Sequence, residues 1–549
     1  MKALRLVTNS LLAGLYFALL MALLVLDLNI NLTFSVAAWL RLTLFLMITY
    51  GLLAALVILS IAAIFRFLTG RKTPLNFVSL PFLTLACSFL TLIFLVIFRE
   101  NYLYFISFFV PGLQAPLRTQ MLALFLLSIS GFVLHYRQHH LRPQRPYAGV
   151  FFGLLASVLV LAAVQRLGYP APQKSFKLAN LEAKSLDKRV TVLCLEGLSL
   201  DLLLPYTGAR KLPNFGWLMK EGAWGRLDGF TPSDPYILTA TFNTGKLPGK
   251  HRLISDVKYQ IPGLGTDLEV VPRFILFRQM KRLGLMRILP NDAKPRTKDI
   301  WTVLAEYKAP AVRMNGPFIA PSIARKIDPR SDKLFRSVFQ DFQSESSWIF
   351  AQVKQAFLRD AGSEEQAFQA KSDIQPRLFS LLLDGATTAE MYFYKYSFPG
   401  EFGEIREDEI QKYGSVIEKY YFYYDQIISK YLASLKEGEL FIVYSPHGTE
   451  SLPFWKRVVE WTLGNSEVSA YHEQAPPGVA FVYGKGIIKG WNFDAIRLVD
   501  LAPTILYYLG LPVGKDMDGV VRGSLFERAF ADENPVLTIT SYDDVGIKK

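Results

Sequence analysis

Cysteine and histidine are scarce in this sequence, with two and six among 549 residues. Cys87 falls in an apolar run and Cys194 in a short β-rich one, so the two are not expected to meet and no disulfide framework is predicted. A chain of this length builds a large enough core without one. Three histidines crowd together at His135, His139 and His140; only His251, His447 and His472 serve the rest of the chain. No internal repeat or low-complexity tract is present. Nor is there a basic stripe with interleaved aromatics, which excludes a nucleic-acid binder of the usual kind. The net charge of +13, from 60 Lys and Arg against 47 Asp and Glu, instead comes from loops and a scattered surplus, and attraction to anionic headgroups is its plainer consequence.

Apolar residues, by contrast, make up 51% of the chain, and they concentrate in the first third. Five runs, 8–28, 42–65, 75–98, 119–136 and 148–165, carry almost no charge. A hydrocarbon core of ~30 Å needs about 20 residues of helix, so each is read as a membrane span, the last two near the lower limit. The first run lacks a small-residue cleavage site, which argues against a signal peptide. Lys2, Arg5, Arg66, Arg71, Lys72, Arg137, Arg142 and Arg145 fall on one side of this topology, and Arg41, Arg99, Arg118 and Arg166 on the other. The positive-inside rule then puts the N-terminus in the cytoplasm and everything after the fifth span outside it, periplasmic or extracellular. Residues 101–117, aromatic and holding two prolines, read as an outer interfacial segment.

The expected organisation is a transmembrane domain at 1–168, a polar linker at 169–186 and an extracytoplasmic domain at 187–549. In that last part short β-rich runs at 189–195, 377–383, 440–444 and 478–483 alternate with helical patterns at 212–221, 299–307, 410–435 and 499–509. Alternation of this kind predicts an α/β fold, three layers with a mostly parallel sheet covered on both faces. Ligands in such sheets sit beyond the carboxyl ends of the strands. Glu196, Asp384 and His447 fall there.

Seven stretches appear in order: "VLCLEGLSLDLL", "LPNFGWLMKEGAWGRL", "NTGKLPGKH", "VIEKYYFYYDQIISKYL", "VYSPHGTE", "PPGVAFVYGKGIIKG" and "VDLAPTILYYLGLPVGKDMDG". Together, over about 189–525, they resemble the alkaline phosphatase superfamily in its type I phosphodiesterase/nucleotide pyrophosphatase branch. The resemblance implies two zinc ions held by Asp and His and a Thr or Ser nucleophile. It also implies where this chain departs. The first ligand position, an Asp in the family, is Glu196. The nucleophile's turn contains Ser233, about two positions out of place, next to Asp234. The Asp and His of a later helix fall on Thr387 and Met391, and the Asp of the Ser-Asp-His-Gly motif is Pro446. His447 and His472 stand where the family has ligands, and His251 at a position that is not one.

Zinc takes three or four nitrogen, oxygen or sulfur ligands. Thr387 and Met391 supply neither anionic oxygen nor imidazole, and Pro446 has no donor side chain. One ion would be left with His472. The other would keep Glu196 and His447, with Ser233 or Asp234 beside them. Each has a plainer reading: His447 and His472 as hydrogen-bonding structural residues, Glu196 as a turn cap or ion-pair partner, Ser233 as an ordinary turn serine. Asp384 and Glu390 flank the lost pair and are candidate substitutes. Without two cations at the phosphoryl group, stabilisation of the attacking and leaving oxygens is largely lost.

Five spans ahead of such a domain resemble the layout of lipoteichoic acid synthases and lipid A phosphoethanolamine transferases, which implies a bacterial inner membrane and envelope lipids or glycans as ligands. Membrane lipids and other membrane proteins are the expected partners, and nucleic acid is not. The first reading is a pseudoenzyme that binds, senses or scaffolds and has no metal cofactor. The alternative is an active phosphodiesterase or phosphoryl-group transferase using one or two zinc ions.

Overall fold

The structure is a computed structural model that describes residues 2–29, 36–70, 79–93, 114–140, 153, 156, 179–182, 187–230, 233–271, 277–291, 295–316, 329–462, 465–472, 474–543 and 545–548. The chain divides into two compact units. The first comprises Met1–Lys174 and Ile254–Asp292, and the second Ser175–Leu253 and Ala293–Lys549.

The first unit is built on apolar helices. Helix α1 spans Lys2–Leu28. Helix α2, Val36–Leu46, runs through a π-turn at Met47–Gly51 into α3, Leu52–Thr69. A shorter apolar helix, α4, covers Leu80–Ile93, and α5 covers Gln114–His140. Three stretches, Leu6–Leu26, Ala37–Leu68 and Gln120–Arg137, are helices long and apolar enough to cross a membrane. The run at 75–98 is described only in part, and the run at 148–165 lies almost wholly outside the described residues. Residues 114–117, read as interfacial, belong instead to the first turn of α5; a proline is tolerated there because its missing N–H has no partner in the helix.

Small residues set the packing of these helices. A Cβ on Gly14 would stand 2.2 Å from the Gly51 carbonyl oxygen, so α1 meets the π-turn backbone to backbone. This close approach of small residues is how apolar helices gain contact where no hydrophobic driving force separates them from lipid. The Tyr16 hydroxyl shares a 2.6 Å hydrogen bond with Ser88 Oγ. Just past α1, the buried Asn29 accepts from the backbone N–H groups of Glu269 and Val270 (2.7 and 3.0 Å) and donates to the Val270 carbonyl (2.8 Å). That clasp ties Ile254–Asp292 to the helices, although the sequence places this segment inside the C-terminal part. The segment contains an antiparallel pair, Val257–Gln260 with Arg287–Pro290.

The second unit is α/β. Its strands are β1 (Arg189–Leu195), β2 (Ala223–Asp228), β3 (Ala311–Met314), β4 (Leu378–Leu383), β5 (Glu439–His447), β6 (Pro477–Tyr483) and β7 (Trp491–Arg497). They form one sheet in the order β7-β2-β6-β5-β1-β4-β3. All neighbours are parallel except β6, which runs against both β5 and β2. The central strands β1, β4 and β5 are buried almost throughout, as expected of a sheet covered on both faces. Helices α6 (Pro213–Glu221), α7 (Pro235–Thr244), α8 (Trp348–Ile374), α9 (Gly385–Ser397), α10 (Val416–Ser434) and α11 (Phe454–Thr462) accompany it.

The core between β1, β4 and the helices α8, α9 and α10 is strongly aromatic. Phe357, Phe379, Phe393, Tyr420, Tyr421, Tyr424 and Tyr431 are all fully buried. Two local readings need correction. The helix predicted over 410–435 is two, Glu407–Tyr413 and α10, broken at Gly414 and Ser415. The strand predicted to stop at residue 444 continues through Pro446 to His447, because β6 pairs with it as far as Pro477 opposite His447. Pairing with β1 ends at Tyr444, so Pro446 removes no ladder bond on that side. Within 169–186, residues Ala179–Glu182 form a strand paired in parallel with Val545–Lys548.

Candidate functional site

Three strand ends deliver the residues singled out in the sequence. Glu196 follows β1 directly, and its N–H donates to the Leu383 carbonyl at the end of β4 (2.9 Å). Asp384 follows β4, and His447 closes β5.

Glu196 is only 4% exposed, and its Oε1 has no hydrogen-bond partner. Burial, then the neighbouring Asp384, Asp234 and Asp360, push its carboxyl up to about 8. The carboxyl is therefore neutral at pH 7 when nothing cationic faces it. His447 is 1% exposed. Its Nδ1 lies 3.0 Å from the Gly448 carbonyl, which can only accept, so Nδ1 carries the proton and Nε2 presents its lone pair. That Nε2 has no partner either. Burial, then His472, lower the pKa of the ring to about 3. The His472 ring stacks on it at 4.9 Å and 25°.

The other positions are committed to the fold's own bonds. Thr387 Oγ1 donates to the Asp384 carbonyl one turn back (2.6 Å). The Met391 carbonyl accepts from Ser469 N (2.7 Å) and Ser469 Oγ (3.1 Å). Asp384 is half-exposed and pairs with Arg359 (2.8 Å). Ser233 Oγ donates to the Phe230 carbonyl (3.3 Å), an ordinary turn contact. Asp234 caps α7, accepting from Tyr236 N (2.9 Å) and Ile237 N (3.2 Å). His251 takes an N–H from Leu253 on Nδ1 (3.2 Å) and so gives Nε2–H to Thr241 (3.2 Å), a purely internal role.

Glu390 occupies the space beside Gly197. A Cβ on that glycine, at φ +92°, would lie 2.7 Å from Glu390 Oε2. Oε2 is hydrogen-bonded to Thr449 Oγ1, and Oε1 lies 3.0 Å from the Tyr421 hydroxyl. The Tyr421 hydroxyl also donates to the Gly197 carbonyl (2.8 Å) and accepts from Ser199 N (3.3 Å). Its single proton goes to the carbonyl, so the contact with Glu390 needs a proton from Glu390. Burial supports this, raising that carboxyl to about 8. A second acid, Asp360, accepts from Tyr420 (2.9 Å) and Gly385 N (3.0 Å) and is pushed up to about 7 by burial and by Asp384.

The structure thus brings Glu196 within electrostatic range of Asp234, Asp384 and Asp360, and stacks His447 on His472. Among the described residues no three of His, Cys, Asp and Glu converge as a metal-holding group. This donor set does not fit a pair of zinc ions. Among the described residues at these strand ends, the His447 Nε2 lone pair and the Glu196 Oε1 oxygen are buried and unpartnered. Tyr421, Thr449 and Asp360 were not singled out in the sequence. The "YFYYDQ" tyrosines read as core, which they are, but the hydroxyls of Tyr421 and Tyr424 also reach the acids at the sheet end.

No curated protein matches the chain. Among solved structures, the phosphonate monoester hydrolase from Silicibacter pomeroyi is similar over 61% of this chain and 76% of its own, with 15% identity and a TM-score of 0.36. Murine ectonucleotide pyrophosphatase/phosphodiesterase 5 is similar over 62% of this chain and 100% of its own, with 13% identity and a TM-score of 0.35. The human protein of that name gives 62%, 100%, 12% and 0.34. Residues 190–491, over half of the chain, match the family model of type I phosphodiesterases and nucleotide pyrophosphatases, and the chain belongs to that family.

Proposed function

We propose that this chain is a membrane-anchored pseudoenzyme of its family. In this reading the helices of the first unit span the membrane, the N-terminus is cytoplasmic, and the family domain lies outside the cytoplasm, where it binds, senses or scaffolds at the envelope. Envelope lipids or glycans are its ligand class.

One observation carries the loss of hydrolysis. The family's ligand positions at Thr387, Met391 and Pro446 hold no carboxylate, imidazole or thiolate, and Glu390, a candidate replacement, is engaged by Tyr421 and Thr449. Paired cations at the attacking and leaving oxygens are the main source of rate in two-metal phosphoryl chemistry. The alternative, an active enzyme with a rearranged single-ion site, is favoured by one feature. His447 Nε2 and Glu196 Oε1 are buried and unpartnered, and His447 already has the tautomer that metal-bound histidines take.

The test is turnover by the purified full chain, in detergent with added zinc, of bis(p-nitrophenyl) phosphate and p-nitrophenyl phosphate. The expected result is hydrolysis indistinguishable from a His447→Ala variant. Zinc-dependent hydrolysis that His447→Ala abolishes would establish the alternative.

A further inference from the structure

Helix α11 exposes large apolar side chains along one stripe. At 3.6 residues per turn, positions 454, 458 and 461 fall within about 60° of one another on its surface. Phe454, Val458 and Trp461 occupy them and are 74%, 44% and 69% exposed. Lys456 and Arg457 turn toward aromatic rings of the domain. Lys456 Nζ sits 4.0 Å above the Tyr471 ring, and the Arg457 guanidinium lies 5.2 Å from that of Phe402. Glu460 accepts from Asn465 within the same excursion (2.7 Å). A surface helix in water usually keeps such apolar side chains against the core.

The excursion that carries this helix is held firmly at its base. The short strands Glu450–Ser451 and Ala470–Tyr471 pair antiparallel, and Leu452 N donates to the Ser469 carbonyl (2.9 Å). Ser469 in turn bonds the Met391 carbonyl of α9, and Lys395 pairs with Glu467 (3.1 Å). The outward face is therefore presented by a braced element. It lies between His447 and His472 in the sequence, whose rings stack at the sheet end.

We infer that α11 is an interfacial helix that seats its Phe454–Val458–Trp461 face in the surface of the lipid bilayer. Two observations choose a bilayer over a protein partner. The chain carries its own helices long and apolar enough to span a membrane. Residues 166–188, between the last apolar run and β1, extend to about 80 Å at most, which keeps the domain within reach of that surface. The face itself pairs aromatic and β-branched side chains, with Trp at its edge, as segments that lie in the headgroup region do.

The inference rests on the membrane reading, and the experiment separates the two. Cys87 and Cys194 are buried, so a cysteine introduced at the surface takes a fluorescent label selectively. The full chain is reconstituted in phosphatidylcholine vesicles containing phosphatidylglycerol and labelled in turn as Phe454→Cys, Trp461→Cys, Ile61→Cys in a span, and Arg528→Cys on the exposed helix Arg528–Glu533. Nitroxide-bearing lipids and aqueous iodide are the quenchers. Nitroxide lipid is expected to cut emission at 454, 461 and 61 by about twofold or more, with Arg528→Cys quenched only by iodide. Lipid quenching at 61 alone, with iodide reaching 454 and 461, overturns the inference and leaves the membrane reading standing. Labels at 454 and 461 shielded from both quenchers mean a protein covers the face, and this too overturns it. Absence of lipid quenching at 61 overturns both.

Discussion

Three buried acids, Glu196, Glu390 and Asp360, and an imidazole at the sheet end set the pH response, with Asp360 raised to about 7. Glu196 and Glu390 are held near 8, well above the ordinary carboxyl value of about 4.3, so the folded state binds protons that the unfolded state has released. Their contribution is full below about pH 4.3 and is lost as pH rises through 8. His447 and His251, lowered to about 3 by burial, work the other way: they add stability that is complete once pH exceeds about 6.5. The window from 6.5 to 8 therefore belongs to the carboxyls. For the chelator-treated full chain, unfolding free energy should fall across it, by roughly 1–2 kcal/mol per carboxyl. Glu390→Gln should flatten the slope, because an amide keeps donors for this network and does not titrate. A rise in stability over that window would contradict the assignment. Part of this was legible in the sequence: Glu196, Glu390 and His447 stand at strand ends or beside the family's ligand positions. Asp360 was not, since an acid inside a long helix reads as a solvated face until the fold buries it.

At the scale of elements, α10 locks the loop after β1. Tyr421 reaches from that helix to Gly197, Ser199 and Glu390. Tyr421→Phe fills the same volume but strands a buried carbonyl, a backbone N–H and a carboxyl. It should cost about 1–3 kcal/mol in a denaturant titration of the full chain. A loss under a few tenths would mean the hydroxyl only occupies space. Element positions were largely readable, because β1, β4 and β6 are short apolar runs with abrupt ends. The misreadings have local causes. Gly414 breaks a helix whose apolar pattern continues across the break. Pro446 hides the end of β5, because only the antiparallel neighbour β6 carries that strand on to His447. The place of Glu390 is likewise a matter of packing: the glycine at 197 leaves room for its carboxyl, and no sequence spacing states that.

For the whole molecule, the proposed reading is of membrane-spanning helices joined to a family domain whose ligand positions at 387, 391 and 446 hold Thr, Met and Pro. On the proposed topology, the positive-inside rule puts the end of the chain outside the cytoplasm. A phosphatase reporter fused after Lys549, active only on export, should be active, and a fluorescent reporter that matures only in the cytoplasm should stay dark. The reverse pattern would remove the envelope setting. The central claim is the loss of the two-metal pair. It is tested most directly by the zinc content of the full chain, purified with zinc present and measured by elemental mass spectrometry. The comparison is a variant carrying Glu196→Asp, Thr387→Asp, Met391→His and Pro446→Asp. The account predicts well under two zinc ions per wild-type chain and a higher content in the variant, with the four changes acting non-additively on shared ions. Two tightly held ions in the wild type would contradict it.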